Sequence, residues 1–157
     1  MRKLGDIEYD EAWEAFYKKF SFRPSVNGPF PAIAEPNDSI TFQLAQNHDD
    51  AMIDELSKAI CQSFIECGLS TQEVYYLDWQ HECYALITDE IRTSWATGYP
   101  DGDYAIFASK DMSTGTFGHP WEPSICFFGQ SFVNALLKRK PAILRCAIRN
   151  AGGYSGT

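Results

Sequence analysis

The spacing of hydrophobic residues along this chain predicts three amphipathic helices. Large apolar residues recur at intervals of three and four over residues 9–20, 49–68 and 132–140, which is the spacing of one helix face. The second stretch opens on acidic residues and closes on Gly68, and the third ends in a run of basic residues. Both features favour helix ends, because acids complement the N-terminal dipole and bases or glycine suit the C-terminus.

Shorter stretches predict strands, because they alternate apolar and polar residues or are rich in β-branched and aromatic residues. They cover residues 39–45, 74–79, 83–88, 104–109 and 124–128. The turn sequence Pro100-Asp101-Gly102-Asp103 leads into the fourth stretch, and a second turn near residues 113–115 returns the chain toward Thr116. We expect the second and third stretches to be antiparallel neighbours.

The order of these elements, α-β-α-β-β-β-β-α, predicts an α+β fold. Successive strands have short connections, which favour an antiparallel sheet because parallel neighbours need crossovers of about a dozen residues or more. Residues 23–36 contain four prolines and predict an irregular connector. We therefore predict a single domain over residues 1–157, a mainly antiparallel sheet with about three helices packed on it, and a frayed tail at residues 150–157.

Composition narrows the class of protein. The chain has 157 residues, of which 45% are hydrophobic, as in ordinary globular domains. No apolar run reaches the roughly 18 residues that a membrane span needs, and the N-terminus lacks the apolar core of a signal peptide. Five cysteines without a CxxC pair are typical of free thiols in a reducing compartment. We expect a cytoplasmic protein without a membrane partner.

Charge is distributed unevenly along the chain, whose formal net charge is −8. Residues 24–109 carry fourteen carboxylates but only two basic side chains, Lys58 and Arg92, whereas residues 123–157 carry five basic side chains and no acid. A negative field repels nucleic-acid phosphates and attracts cationic partners. The charge pattern therefore disfavours nucleic-acid binding and favours a basic protein partner.

Catalytic and cofactor motifs are absent from the sequence. It contains neither GxxxxGK[ST] nor GxGxxG, and residues 153–156 lack the spacing of a nucleophile elbow. His48, His81 and His119 show none of the short spacings that zinc sites use. We accordingly predict no catalytic residue, no metal site and no cofactor.

Two clusters combine ionisable groups with tryptophan, at residues 78–81 (DWQH) and residues 117–122 (FGHPWE). They permit three interpretations: core and rim packing, a shared pocket with His81, His119 and Glu122 as acid, base or ligand-orienting groups, or a protein-binding surface. The candidate binding or pocket residues are Asp78, Trp79, His81, Asp103, His119, Trp121 and Glu122.

The same segments resemble a known family. Three sequences occur in the same order as in the bacterial domain-of-unknown-function family DUF2716: YYLDWQH at residues 75–81, PDGDYAIF at residues 100–107, and FGHPWE at residues 117–122 followed by ICFFG. Residues 13–24 and 35–42 also resemble that pattern, so the likeness extends from about residue 8 to residue 137. The resemblance implies a small bacterial cytosolic domain with DWQH and GHPWE as its signature, and it implies no particular activity.

Two functional hypotheses follow. The first is a non-enzymatic, immunity-type binding protein whose acidic surface docks on a cationic bacterial toxin domain such as a nuclease. The second is a small enzyme or ligand-binding domain that uses a pocket formed by the DWQH and GHPWE segments. The excess of acidic charge over residues 24–109 favours the first hypothesis, and the sequence leaves the oligomeric state open.

Overall fold

A computed structural model describes residues 1–157, and its strands form one sheet. Alternating side chains pack on both faces of this sheet, so most strands contain few exposed residues. The strands are β1 (Arg2–Lys3), β2 (Ile40–Leu44), β3 (Glu73–Asp78), β4 (Tyr84–Ile87), β5 (Ala105–Ser109), β6 (Gly115–His119), β7 (Ser124–Phe128) and β8 (Leu144–Arg149).

The helices begin and end largely where the sequence indicates. Asp49 caps the second helix by accepting a hydrogen bond from the backbone N–H of Met52 at 2.9 Å, and Gly68, with φ +93°, lies at its far end inside a π-helical turn, Ile65–Leu69. None of the helices has the length and apolar character that crossing a bilayer requires. The helices are α1 (Asp6–Phe20), α2 (Asp50–Phe64), α3 (Thr88–Ile91) and α4 (Gln130–Arg139).

The sheet is antiparallel throughout, in the order β1-β4-β3-β5-β6-β7-β2-β8. This arrangement confirms the predicted α+β fold and the antiparallel pairing of β3 with β4. Three of the eight strands come from segments where no strand is predicted. β1 is only two residues long, β6 contains two glycines, and β8 is an edge strand with a single buried residue, so none shows a strong strand pattern.

Each face of the sheet has its own hydrophobic core. On one face, α2 and α4 pack Leu56, Ile60 and Phe132 against inward residues of the strands. On the other face, α1 packs Phe16 and Phe20 against the strands. The proline-rich connector, residues 23–36, packs on the same face. The period of two along each strand sends neighbouring residues into different cores, which explains why the strands are apolar on both sides.

The C-terminal tail differs from the predicted frayed end as far as Tyr154. The backbone N–H of Gly152 donates to the carbonyl oxygen of Ser39 at 2.9 Å, and the Tyr154 hydroxyl donates to the carbonyl oxygen of Asp38 at 2.6 Å. The tyrosine ring also packs against the core that α2 and α4 cover. Contacts with residues distant in sequence therefore hold this segment, which has no clear secondary-structure pattern, to the start of β2.

Candidate functional site

Neighbouring strand ends carry the two sequence motifs to the same end of the sheet. Asp78 at the end of β3 lies opposite Ala105 at the start of β5, and Ala105 lies opposite Gly118 of β6. His119, which ends β6, lies opposite Ser124 at the start of β7. Antiparallel pairing therefore brings together the segments that contain the candidates, which are Asp78, Trp79, His81, Asp103, His119, Trp121 and Glu122.

Tyr104 connects the two motifs by aromatic packing. Its ring centroid lies 5.7 Å from that of Trp79, 5.0 Å from that of His119 and 5.2 Å from that of Trp121. The side chain is buried, and its hydroxyl accepts a hydrogen bond from the backbone N–H of Ser25 at 3.0 Å. Sequence reasoning does not single out this tyrosine, although its position directly after a strong turn signal marks it. Buried rings, not an open cavity, join the motifs at this point.

His119 is a buried imidazole that fixes the turn after β6. Its Nδ1 accepts hydrogen bonds from the backbone N–H groups of Trp121 and Glu122, both at 3.2 Å, which leaves the proton of the neutral ring on Nε2. Nε2 is buried without a hydrogen-bond partner, and the rings of Phe30 and Tyr104 lie edge-to-face with the imidazole at 4.8 and 5.0 Å. Burial lowers the pKa of His119, which favours the neutral form.

Glu122 belongs to a charge network that sequence reasoning does not find. Arg149 of β8 donates to the two carboxylate oxygens of Glu122 at 2.6 and 2.8 Å and to those of Glu35 at 2.6 and 3.2 Å. Burial raises the pKa of Glu122, but hydrogen bonds from Arg149 and Ser124 outweigh it and hold the pKa below its ordinary value. The partners are far apart in sequence, so no local pattern signals the network. Glu122 is thus a charged anchor that ties β8 to the turn after β6.

The DWQH segment forms a second polar cluster with Asp103. His81 Nδ1 lies 3.2 Å from Asp78 Oδ1 and 3.7 Å from Asp103 Oδ2. Burial raises the pKa of Asp78, while the neighbouring His81 opposes that shift. Asp103 also accepts a hydrogen bond from the backbone N–H of the next residue, Tyr104, at 2.8 Å.

This cluster has the donor atoms that a divalent cation accepts. One atom each from Asp78, His81 and Asp103 lies within 4.8 Å of the others, and carboxylate oxygens with an imidazole nitrogen suit several transition metals. The 3.2 Å contact between Asp78 and His81 is also a normal hydrogen-bond length. The hydrogen bond between Asp78 and His81 therefore explains the arrangement of these side chains, and the arrangement does not by itself assign a metal ion.

Two clefts border the DWQH segment. The larger, of about 630 Å³, lies beside β1 and β4 and is lined by Asp78, His81 and Trp95 among others. The smaller, of about 300 Å³, shares Asp78 and Trp95 and continues to Asp101 and Asp103. Neither cleft is lined by a residue of the GHPWE segment. The structure thus brings the two motifs together, and of the two only the DWQH segment lines these clefts.

Trp95 is a site residue that the sequence analysis overlooks. It lies in an irregular stretch between α3 and β5, and 54% of its surface is exposed. The rings of Tyr76 and Tyr84 meet it edge-to-face, each with a centroid distance of 5.3 Å. Its only sequence signal is a tryptophan in a segment without periodicity, which does not distinguish a surface residue from a core residue.

Comparison with known proteins supports the resemblance drawn from the motifs. A family described as protein of unknown function (DUF2716) matches residues 3–133. One relative, the uncharacterized protein YxiI of Bacillus subtilis strain 168, is 26% identical in an alignment 157 positions long, which covers 92% of this chain and 96% of the relative. No solved structure matches the chain significantly. The motifs, their order along the sheet and the length of the match together establish that this chain belongs to the DUF2716 family.

Proposed function

We propose that this protein is a non-enzymatic binding protein of the bacterial cytoplasm that docks on a cationic protein, in the manner of an immunity protein that neutralises a toxin domain such as a nuclease. The observation that carries this proposal is which acidic residues form ion pairs with basic groups of the chain and which do not. Sequence alone counts the charges, whereas the fold decides which of them remain available to a partner.

Five of the six glutamates between residues 24 and 109 are neutralised by ion pairs. Their cations are the N-terminal amine and basic residues of β1, β8, α4 and the turn after β5. None of the eight aspartates in the same range pairs with a lysine or arginine. The unneutralised charge therefore belongs mainly to aspartates, which include Asp49, Asp50, Asp54, Asp78, Asp101 and Asp103.

Three of these aspartates lie at the smaller cleft. Asp78, Asp101 and Asp103 line it, and Ile53 of α2 forms part of its wall. Asp54, the residue after Ile53 in α2, is exposed. Concave surfaces with charges of one sign strengthen the local field and speed association with a partner of the opposite sign. A basic protein domain is the partner that this surface fits.

The GHPWE segment contributes structure to this function rather than chemistry. His119 Nδ1 already accepts two backbone hydrogen bonds, and both oxygens of Glu122 bind Arg149. A general base needs a free acceptor within hydrogen-bond reach of its substrate. These contacts support a structural role for the segment. It holds in place the neighbouring turn at residues 100–103, which contains two aspartates.

The alternative is a small enzyme or ligand-binding domain centred on the DWQH segment. It is favoured by one observation, the His81 imidazole between Asp78 and Asp103 at the rim of a cleft of about 630 Å³. Pockets of this volume can hold small molecules. A His81→Ala variant separates the two functions, because loss of a catalytic imidazole abolishes turnover while a broad electrostatic interface loses little affinity.

The test of the proposal is rescue of bacterial cells that express the C-terminal domain of the protein encoded beside this gene. We expect co-expression of this chain to restore growth, and the purified pair to form a complex that weakens as salt is added. Failure to rescue growth, together with no complex at low salt, would overturn the proposal.

Matched charge variants locate the interface. The triple variant Asp54→Asn/Asp101→Asn/Asp103→Asn should weaken the complex by about tenfold or more, because each substitution removes an unpaired charge from the proposed surface. The control Asp10→Asn/Glu11→Gln/Glu14→Gln removes the same charge from α1, which covers the opposite face of the sheet. Equal losses from both variants would contradict docking at the cleft.

A further inference from the structure

The smaller cleft combines aromatic walls with carboxylates that form no ion pair with a lysine or arginine. Its volume is about 300 Å³, at the low end of ligand sites. No lysine or arginine lines it. The carboxylates of the cleft are those of Asp78, Asp101 and Asp103, and its aromatic residues include Tyr76, Trp95 and Tyr99.

The aromatic wall of the cleft includes a ring that is packed and yet exposed. Trp95 packs edge-to-face with Tyr76 and with Tyr84, with both centroid distances at 5.3 Å, and 54% of its surface remains exposed. A large, exposed aromatic ring is the kind of side chain that anchors protein interfaces. Because Trp95 already packs against two tyrosines, we expect its ordering on binding to cost little entropy.

The segment that carries Trp95 is also tied to α2. The hydroxyl of Ser57 donates to the carbonyl oxygen of Thr97 at 3.2 Å, and the ring of His48 lies 4.7 Å from that of Tyr99. These contacts join the segment that follows Trp95 to the middle of α2 and to the loop before it.

From this geometry we infer that the cleft receives the guanidinium group of an arginine side chain from the basic partner, an inference that rests on the proposed function. A guanidinium is planar, stays charged and donates in a fork that matches a carboxylate. Asp101 and Asp103 supply the carboxylates, and Trp95 supplies the aromatic surface on which the cation stacks. A lysine ammonium can satisfy the charge but not the flat stacking contact.

The direct experiment titrates the protein with N-acetyl-L-arginine amide while recording backbone and indole N–H signals by NMR. The matched probe is N-acetyl-L-citrulline amide, which has a similar shape and no charge. We expect saturable shifts of the Trp95 indole and of amides in residues 101–104 with the arginine probe only. Equal shifts with both probes, or no shift at these residues, would overturn the inference.

Substitutions test which side chains bind the probe. Trp95→Ala and Asp101→Asn change exposed residues, so both variants should fold. Each should weaken binding of the arginine probe by about two- to fivefold, the range for an exposed cation–π contact or ion pair. The controls Tyr17→Ala and Asp10→Asn remove a similarly exposed ring and carboxylate from α1 and should leave the titration unchanged.

The complex with the basic domain distinguishes failure of this inference from failure of the proposed function. Trp95→Ala should weaken that complex at least about tenfold, as for an interface anchor. If the complex forms but tolerates both Trp95→Ala and Asp101→Asn, the arginine site is wrong and the binding function stands. If no complex forms with the wild-type protein, the proposed function fails whatever the probe titration shows.

Discussion

Two backbone N–H groups point at Nδ1 of His119, a buried imidazole whose protonation makes the stability of the protein depend on pH. Burial places the pKa of His119 in the folded state below its ordinary value of 6.5. Below that pH the unfolded chain takes up a proton that the folded imidazole does not. Stability is therefore full above about pH 6.5 and decreases as the pH falls toward the folded pKa.

Urea unfolding at pH 7.5, 6.5 and 5.5 should show this decrease in the wild-type protein. His119→Asn keeps a side-chain acceptor but cannot titrate, so its unfolding free energy should depend less on pH over the same range. His119→Ala should cost about 2–4 kcal/mol at pH 7.5, because it leaves a cavity and two unpaired N–H groups. A His119→Asn variant with the wild-type pH dependence would show that another group is responsible.

Gly115 is required by close packing between strands. A Cβ at this position would overlap the carbonyl oxygen of Phe107 on the neighbouring strand β5. Gly115→Ala should therefore destabilise the protein by about 2–3 kcal/mol or more, measured by thermal or urea unfolding. The control is Gly5→Ala, whose Cβ would meet nothing within 4 Å, and it should change stability by less than about 1 kcal/mol. Similar losses in both variants would exclude this steric explanation.

At the scale of elements, Arg149 fastens the edge strand β8 to the rest of the sheet. Its guanidinium binds Glu35 and Glu122, whose side chains are 9% and 11% exposed. Removing the arginine leaves two nearly buried carboxylates without a cation. The edge strand therefore depends on the two ion pairs of Arg149 as well as on its backbone pairing with β2.

We expect Arg149→Met to lower the unfolding free energy by about 2–4 kcal/mol and to increase hydrogen exchange in β8 first. Lys138→Met breaks an exposed pair with Glu66 and should leave the unfolding midpoint unchanged within error. Unchanged exchange in β8 after Arg149→Met would indicate that the β2 ladder alone holds the strand.

Elements with a local pattern are predictable from sequence, and elements that depend on distant partners are not. α1, α2 and β3 show their periodicity within a few turns or residues. β1 and β8 become strands because the edges of β4 and β2 offer them hydrogen bonds, which is a property of the assembled sheet. The short β6 is stabilised in the same way between β5 and β7.

At the scale of the whole molecule, the net charge of −8 should govern the rate of association with a cationic partner. The Debye length falls from about 10 Å at 0.1 M salt to about 3 Å at 1 M, so long-range attraction is screened. We expect the association rate with the basic domain to fall about tenfold between 50 and 500 mM NaCl, while the dissociation rate changes less. Stopped-flow kinetics measures both rates, and an association rate independent of salt would contradict electrostatic steering.

Local pattern and composition are sufficient to predict the α+β class, the main helices, five of the strands, the family signature and the excess of acidic charge. The assembled fold is needed to tell which charges are neutralised and which candidate groups already have partners. Glu122 and His119 look like functional groups in sequence, but Arg149 and two backbone N–H groups occupy them in the fold. Trp95 looks like ordinary loop sequence, yet distant tyrosines hold it at an acidic cleft. The difference arises because hydrogen bonds and ring contacts between residues remote in sequence leave no local pattern to read.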